Sequence, residues 1–287
     1  MVTQKPNKSQ FTVFLPSPSG KGTGGEGTPP LIEIRDATLA RGTVVALKNL
    51  SWTMRRGEHW AVLGANGSGK STIVQMLQGM LWPQEGTLSV LGRAFGEDDV
   101  AELRTHIAWV GHEVEPEFPE WQEVAEVVAS GCMGTLGVQF DEPTAAHRRA
   151  AARALRVLGI SHLAARPFNR LSQGQRRRVV IARALSMKPD LLLLDEATNG
   201  LDPVAREDFL KSLGKLIHPD SRPAIIYITH HTEEILPAFT HVLLLRGGQV
   251  VAAGPKAKVL TPKLLEQTFG AKLRVTKRGG RVWLSAS

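Results

Sequence analysis

Apolar residues in this chain fall into two kinds of run. Trp60-Ala61-Val62-Leu63, Leu191-Leu192-Leu193-Leu194 and Ile225-Ile226-Tyr227-Ile228 are continuous. Short continuous runs predict strands of a parallel sheet, covered on both faces. Leu31-Ile32-Glu33-Ile34 alternates instead, as a half-buried strand does, and Val44 to Met54 continues in that style. Thr87 to Leu91 and Ile107 to Val110 predict further strands, with Ala101 to Thr105 a short helix between them. Val242 to Leu245 and Gln249 to Ala252 predict a strand pair around the Gly247-Gly248 turn. Leu273 to Thr276 and Arg281 to Leu284, joined by Lys277 to Gly280, predict a terminal hairpin.

Helical spacing marks other stretches. Ile73, Val74, Met76 and Leu77 follow the first continuous run, and Val124, Val127 and Val128 recur at helical intervals. Ala145 to Leu158 is alanine-rich with an apolar stripe. Residues 111–170 therefore predict a helical subdomain inserted in an α/β core. Residues 1–30, rich in Gly, Ser, Thr, Pro and Lys, predict a disordered leader. The folded domain is expected over 31–287, with 255–287 a basic extension carrying the hairpin.

Between the strand at Trp60 and the helix at Ile73 lies Gly64-Ala65-Asn66-Gly67-Ser68-Gly69-Lys70-Ser71-Thr72. Glycines at this spacing let successive backbone N–H groups converge on one point. Lys70 adds a mobile positive charge for β- and γ-phosphates, and the Ser71 hydroxyl suits Mg²⁺. The helix that starts near Lys70 aims its positive dipole end at the same place. The stretch predicts a bound nucleoside triphosphate in a P-loop, but does not separate kinase, GTPase, helicase and transporter chemistry. The fold class expected is α/β: a P-loop NTPase core with a mainly parallel sheet, an antiparallel β part near the N-terminus and the helical insertion.

The run Leu191 to Leu194 ends in Asp195-Glu196. An aspartate at such a strand end supports Mg²⁺, and a neighbouring glutamate can deprotonate the attacking water. Ser172 caps the helix that follows it, and Gln175, three residues on, completes a capping box. Ser172, Gly174 and exposed N–H groups at a helix start also form a second phosphate-binding site. The helical subdomain separates this site from its own P-loop, so a second copy of the chain is its natural partner.

Charge and cysteine narrow the setting. The net charge of +8 sits mostly in the C-terminal stretch, where Lys256, Lys258, Lys263, Lys272, Arg274, Lys277, Arg278 and Arg281 face only Glu266. A tail of this kind is usually a solvated surface, so a nucleic-acid partner is disfavoured. The one cysteine, Cys132, allows no internal disulfide and suits a reducing compartment. It is expected to be a small, partly buried side chain. No apolar run reaches the roughly twenty residues of a membrane span.

In this order the motifs resemble those of the ATP-binding cassette (ABC) ATPases. Leu171 to Gln175 is similar to the LSGGQ signature, with Gln173 in place of its first glycine. Asp195-Glu196 resembles the Walker B pair, Asn199 to Asp202 the D-loop, and Thr229-His230 the switch histidine. The resemblance covers Leu31 to Leu284. It implies an ATPase that uses ATP and Mg²⁺, with Ser71 and Asp195 on the metal and Lys70, Glu196 and His230 at the reacting phosphate. It also implies a head-to-tail dimer in which Ser172, Gly174 and Gln175 complete the partner's P-loop and Asp202 links the two sites. A separate transmembrane permease subunit would dock at Gly111 to Gly131. The chain would then be cytoplasmic, peripheral to the inner face of the membrane. The alternative is a soluble ABC ATPase acting on ribosomes or nucleic acid. Two positions depart from the pattern. Arg41 stands where an aromatic residue often stacks on adenine, and His112 where a glutamine is usual, leaving the relay to His112 or Gln122.

Overall fold

The computed structural model describes residues 29–94, 100–111, 118–119, 121–135, 137–138, 142–218 and 222–286. The leader through residue 28 and the expectation placed on His112 lie outside these described residues. In chain order the first strands and helices are β1 (Ile32–Arg41), β2 (Val44–Met54), β3 (Trp60–Gly64), α1 (Lys70–Leu77), β4 (Glu85–Val90), β5 (Arg93–Ala94), α2 (Val100–Thr105) and β6 (Ile107–Gly111). Next come α3 (Val124–Ser130), α4 (Ala145–Val157), α5 (Gln173–Ser186), β7 (Leu191–Asp195), α6 (Pro203–Leu216) and β8 (Ala224–Thr229). The chain closes with β9 (His241–Arg246), β10 (Gln249–Pro255), α7 (Lys256–Val259), α8 (Pro262–Phe269), β11 (Leu273–Arg278) and β12 (Arg281–Ala286).

The continuous apolar runs form the centre of a six-stranded sheet of order β10-β9-β3-β8-β7-β6. Its strands pair in parallel except β9 with β10. Alternate side chains of each run enter opposite cores. Ala61, Leu63, Leu192, Leu194, Ile225 and Tyr227 pack with the helices from α3 onward, while Trp60, Val62, Leu191, Leu193, Ile226 and Ile228 pack with α1 and a second sheet. Burial on both faces is why these runs lack polar alternation. The second sheet, of order β2-β1-β4-β5, is antiparallel and holds the alternating segments. The fold class is the one expected.

The helical layer comprises α3, α4 and α5, which pack on one another. Thr144 caps α4, accepting a hydrogen bond from His147 N. Gly111 is the last residue of β6, opposite Asp195 of β7. The buried Arg177 of α5 donates to its carbonyl at 2.7 Å, tying the signature helix to the sheet. Cys132 is half-buried, and its thiol donates to Ser186 O at 3.1 Å. The terminal hairpin is present as β11 and β12. Val282 anchors it in the core, and Arg281 donates to both carboxylate oxygens of Glu207 on α6, at 2.9 and 3.0 Å.

Candidate functional site

The loop Gly64 to Gly69 leaves the carboxyl end of β3 and enters α1, at the edge where parallel sheets place ligands. Gly69, with φ of 104°, is the N-cap of α1, and no side chain caps it. Thr144, Ser172, Asp202 and Thr261 cap α4, α5, α6 and α8 with their side chains, and α3, which lacks such a cap, has its first N–H groups bonded to Arg166 O and Ala164 O. A glycine-led helix start with no side-chain cap is the form an anion-binding site takes. A Cβ on Gly69 would lie 2.8 Å from Leu47 Cδ2 and 3.0 Å from Ala46 O, so glycine is required for space as well as for φ.

Lys70 is buried beneath the loop. Its Nζ donates to Gly64 O at 3.0 Å and Ala65 O at 3.1 Å, and lies 3.6 Å from Glu196 Oε1. Burial pulls its pKa below the ordinary lysine value, against the opposing charges of Glu196 and Asp195. Glu196 follows β7 with φ of 49°, an uncommon conformation for a residue with a side chain, and its N–H is held by Ile228 O at 3.0 Å. Its Oε1 also lies 3.2 Å from His230 Nδ1, and Oε2 accepts from Asn199 Nδ2 at 2.6 Å. Burial pushes the Glu196 carboxyl up, but the His230 hydrogen bond, the Lys70 charge and the Asn199 hydrogen bond outweigh it. The net shift is downward, toward the ionised form.

Lys70 and Glu196 border a cleft of about 510 Å³, lined also by Asn66, Gly67, Gly69, Ser71, Thr72 and Asp195, whereas His230 and Asn199 contact Glu196 without lining it. Ser71 and Asp195 bring two hard oxygen donors to it, which fits Mg²⁺ held with water. The Ser68 hydroxyl is buried with no hydrogen-bond partner among the described residues, and Gly64 packs against it. Val44, Val45 and Ala46 of β2 and Trp109 of β6 form an apolar wall, and Gly247 and Gly248 another edge. The sequence reading missed this wall. Val44 and Val45 are exposed residues in an alternating strand, and only their neighbours in space reveal a role. Gly248, read as a simple turn, receives a hydrogen bond from Lys48 N and donates to Ser68 O, pinning the β9–β10 turn to the P-loop.

Arg41 ends β1 and does not line the cleft. Its guanidinium donates to the side chain of Gln75, which does, so Arg41 stands one side chain back. Gln122 is fully buried, and its side chain donates to Val138 O within the helical layer rather than facing the cleft. Ser172 and Gln175 form the expected capping box at the start of α5, with Ser172 exposed. Neither they nor Gly174 line the cleft of their own chain. Gln173 leans over the loop after β7: a Cβ on Gly200 would sit 2.9 Å from its Nε2. Asp202 accepts from Val204 N and Ala205 N and caps α6. The His231 ring lies against that of His230, with centroids 4.1 Å apart, and its Nδ1 is 3.4 Å from Glu233 Oε1.

A P-loop on one parallel strand and a carboxylate pair on another define a P-loop nucleoside triphosphatase. Residues 47–199 match the ABC transporter family. The chain belongs to that family and is an ABC ATPase. It is 34% identical to the uncharacterized ABC transporter ATP-binding protein YlmA of Bacillus subtilis, covering 89% of this chain and 97% of YlmA. It is also 34% identical to the nickel import ATP-binding protein NikO of Rhodobacter capsulatus, covering 80% of this chain and 91% of NikO. Among solved structures, cbiO1 from Clostridium perfringens, part of the ABC transporter complex cbiONQ, superposes with a TM-score of 0.71. Identity there is 28%, with 83% of this chain and 93% of that one covered.

Proposed function

We propose that this chain binds and hydrolyses ATP to power a membrane ABC transporter, working as a head-to-tail dimer on a separate permease subunit. Residues 31–287 form its ATPase domain, with the helical insertion facing the permease. The observation that carries the chemistry is the meeting of Lys70, Glu196 and His230 around one carboxylate oxygen at the cleft.

In this reading Lys70 exchanges its contacts with Gly64 O and Ala65 O for the β- and γ-phosphates. The P-loop and the uncapped start of α1 hold the same anion. Ser71 and Asp195 would hold Mg²⁺, which would neutralise phosphate charge there. Glu196 takes a proton from water as the water oxygen bonds to the γ-phosphorus; the bond from the γ-phosphorus to the bridging oxygen of ADP breaks, and ADP and phosphate leave. Asn199 and His230 keep Glu196 aimed and ionised. ATP on one P-loop meets the start of α5 on the partner, so bound triphosphate joins the two copies and hydrolysis releases them.

Among the described residues no helix is long and apolar enough to cross a membrane. The transporter reading proposed here places the membrane span on a separate permease subunit. The test is isolation of the tagged chain from native membranes in mild detergent. A polytopic membrane protein in fixed ratio is expected. Recovery only from the soluble fraction, with ribosomes or nucleic acid, would overturn the transporter reading in favour of the alternative.

A further inference from the structure

Glu234 has no part in the chemistry above, yet its surroundings are specific. It ends the 3-10 turn Thr232–Glu234 and is 1% exposed. Three hydroxyls converge on its carboxylate. Thr198 Oγ1 donates to Oε1 at 2.8 Å, while Tyr227 OH and Thr229 Oγ1 donate to Oε2 at 2.9 and 2.6 Å. A carboxylate this buried is costly unless hydrogen bonds replace its water. Burial, and then the Glu234 charge, push the Tyr227 phenol well above its ordinary value, so it stays a protonated donor.

The positions of the donors give the cluster its meaning. Thr198 lies two residues after Glu196 and next to Asn199, which bonds Glu196. Thr229 directly precedes His230, and its Oγ1 also accepts from His231 N at 3.0 Å. Both backbone segments that carry the Glu196–His230 contact, 3.2 Å long, are therefore held from behind by one side chain.

We propose that Glu234 is a positioning residue: its carboxylate fastens the loop after Glu196 to the strand end before His230 and so sets the Glu196–His230 geometry. Its kinetic readout rests on the ATPase reading above. An ordinary core role would make Glu234 matter for stability alone. A positioning role makes it matter for turnover, and only while His230 is present to be positioned.

The test uses the full chain with Glu234→Ala and Thr198→Val, each in the wild-type and His230→Ala backgrounds. Steady-state ATP hydrolysis is compared with equilibrium binding of a fluorescent ADP. Glu234→Ala should lower kcat by about tenfold or more, since small misplacements of reacting groups are costly. KM and ADP affinity should stay within about twofold. Thr198→Val should lower kcat in the same direction by less. In the His230→Ala background Glu234→Ala should add less than about twofold, because coupled residues are not additive. Wild-type kcat in Glu234→Ala, an equal loss on both backgrounds, or a matching loss of ADP affinity would overturn the proposal. If Glu234→Ala does not fold, an unchanged kcat in Thr198→Val overturns it. If the wild-type chain does not hydrolyse ATP, the function fails separately. The fastening is then read from the His230 imidazole resonances of Thr198→Val: shifted signals support it, and unchanged ones overturn it.

Discussion

Glu196 shows what a residue's identity carries and what it does not. Its place after an apolar strand marks it in the sequence, because the motif fixes chemistry and position together. Its φ of 49° and its bond to Asn199, three residues on, appear only once the loop is folded, and the fastening behind it joins Thr198 to Glu234, distant along the chain. His59 is a plainer case of the same limit. Nothing in its neighbours marks it, yet it is fully buried. Its Nε2 lies 3.1 Å from His218 O, and Nδ1 accepts from Ile225 N at 3.2 Å, the pattern of a neutral ring. Burial lowers its pKa from the ordinary 6.5. As pH falls below 6.5 the unfolded chain binds a proton that the folded chain refuses, so stability drops until the folded group also titrates. The urea midpoint should therefore fall between about pH 7.5 and 5.5, and His59→Gln should flatten part of that slope. Equal slopes in the two proteins would exclude His59 as a source.

At the scale of elements, burial decides legibility. β3, β7 and β8 are readable because both their faces are covered, which leaves no polar alternation to confuse them with surface strands. α5 is readable from its cap. Ser172 Oγ accepts from Gln175 N, and Gln175 Oε1 accepts from Ser172 N. Ser172→Ala should lower the stability of the nucleotide-free chain by about 1 kcal/mol, measured by urea unfolding. No change would mean that the box is replaced by solvent. The apolar wall of the cleft was not readable, since Val44 and Val45 owe their role to the fold of β2 over the P-loop. Arg41 and Gln122 show the reverse: each stands near the expected place in sequence, but one contacts Gln75 and the other packs inside the helical layer.

For the whole molecule, the proposed dimer starts from one observation, that the P-loop cleft and the exposed start of α5 stand apart in one chain. The P-loop cleft holds Lys70, Asp195 and Glu196, while the exposed start of α5 at Ser172 lies outside it. The C-terminal hairpin is part of this body, since Arg281 grips Glu207 on the helix that Asp202 caps. Two copies related head to tail would bring cleft and helix start together around the triphosphate, and a variant that binds ATP without hydrolysing it would hold them there. The most direct measurement is the mass in solution of Glu196→Gln, by sedimentation velocity, with and without ATP and Mg²⁺. The account predicts a monomer without nucleotide and twice the mass of the chain with it. A monomer under both conditions, with ATP bound, would contradict it.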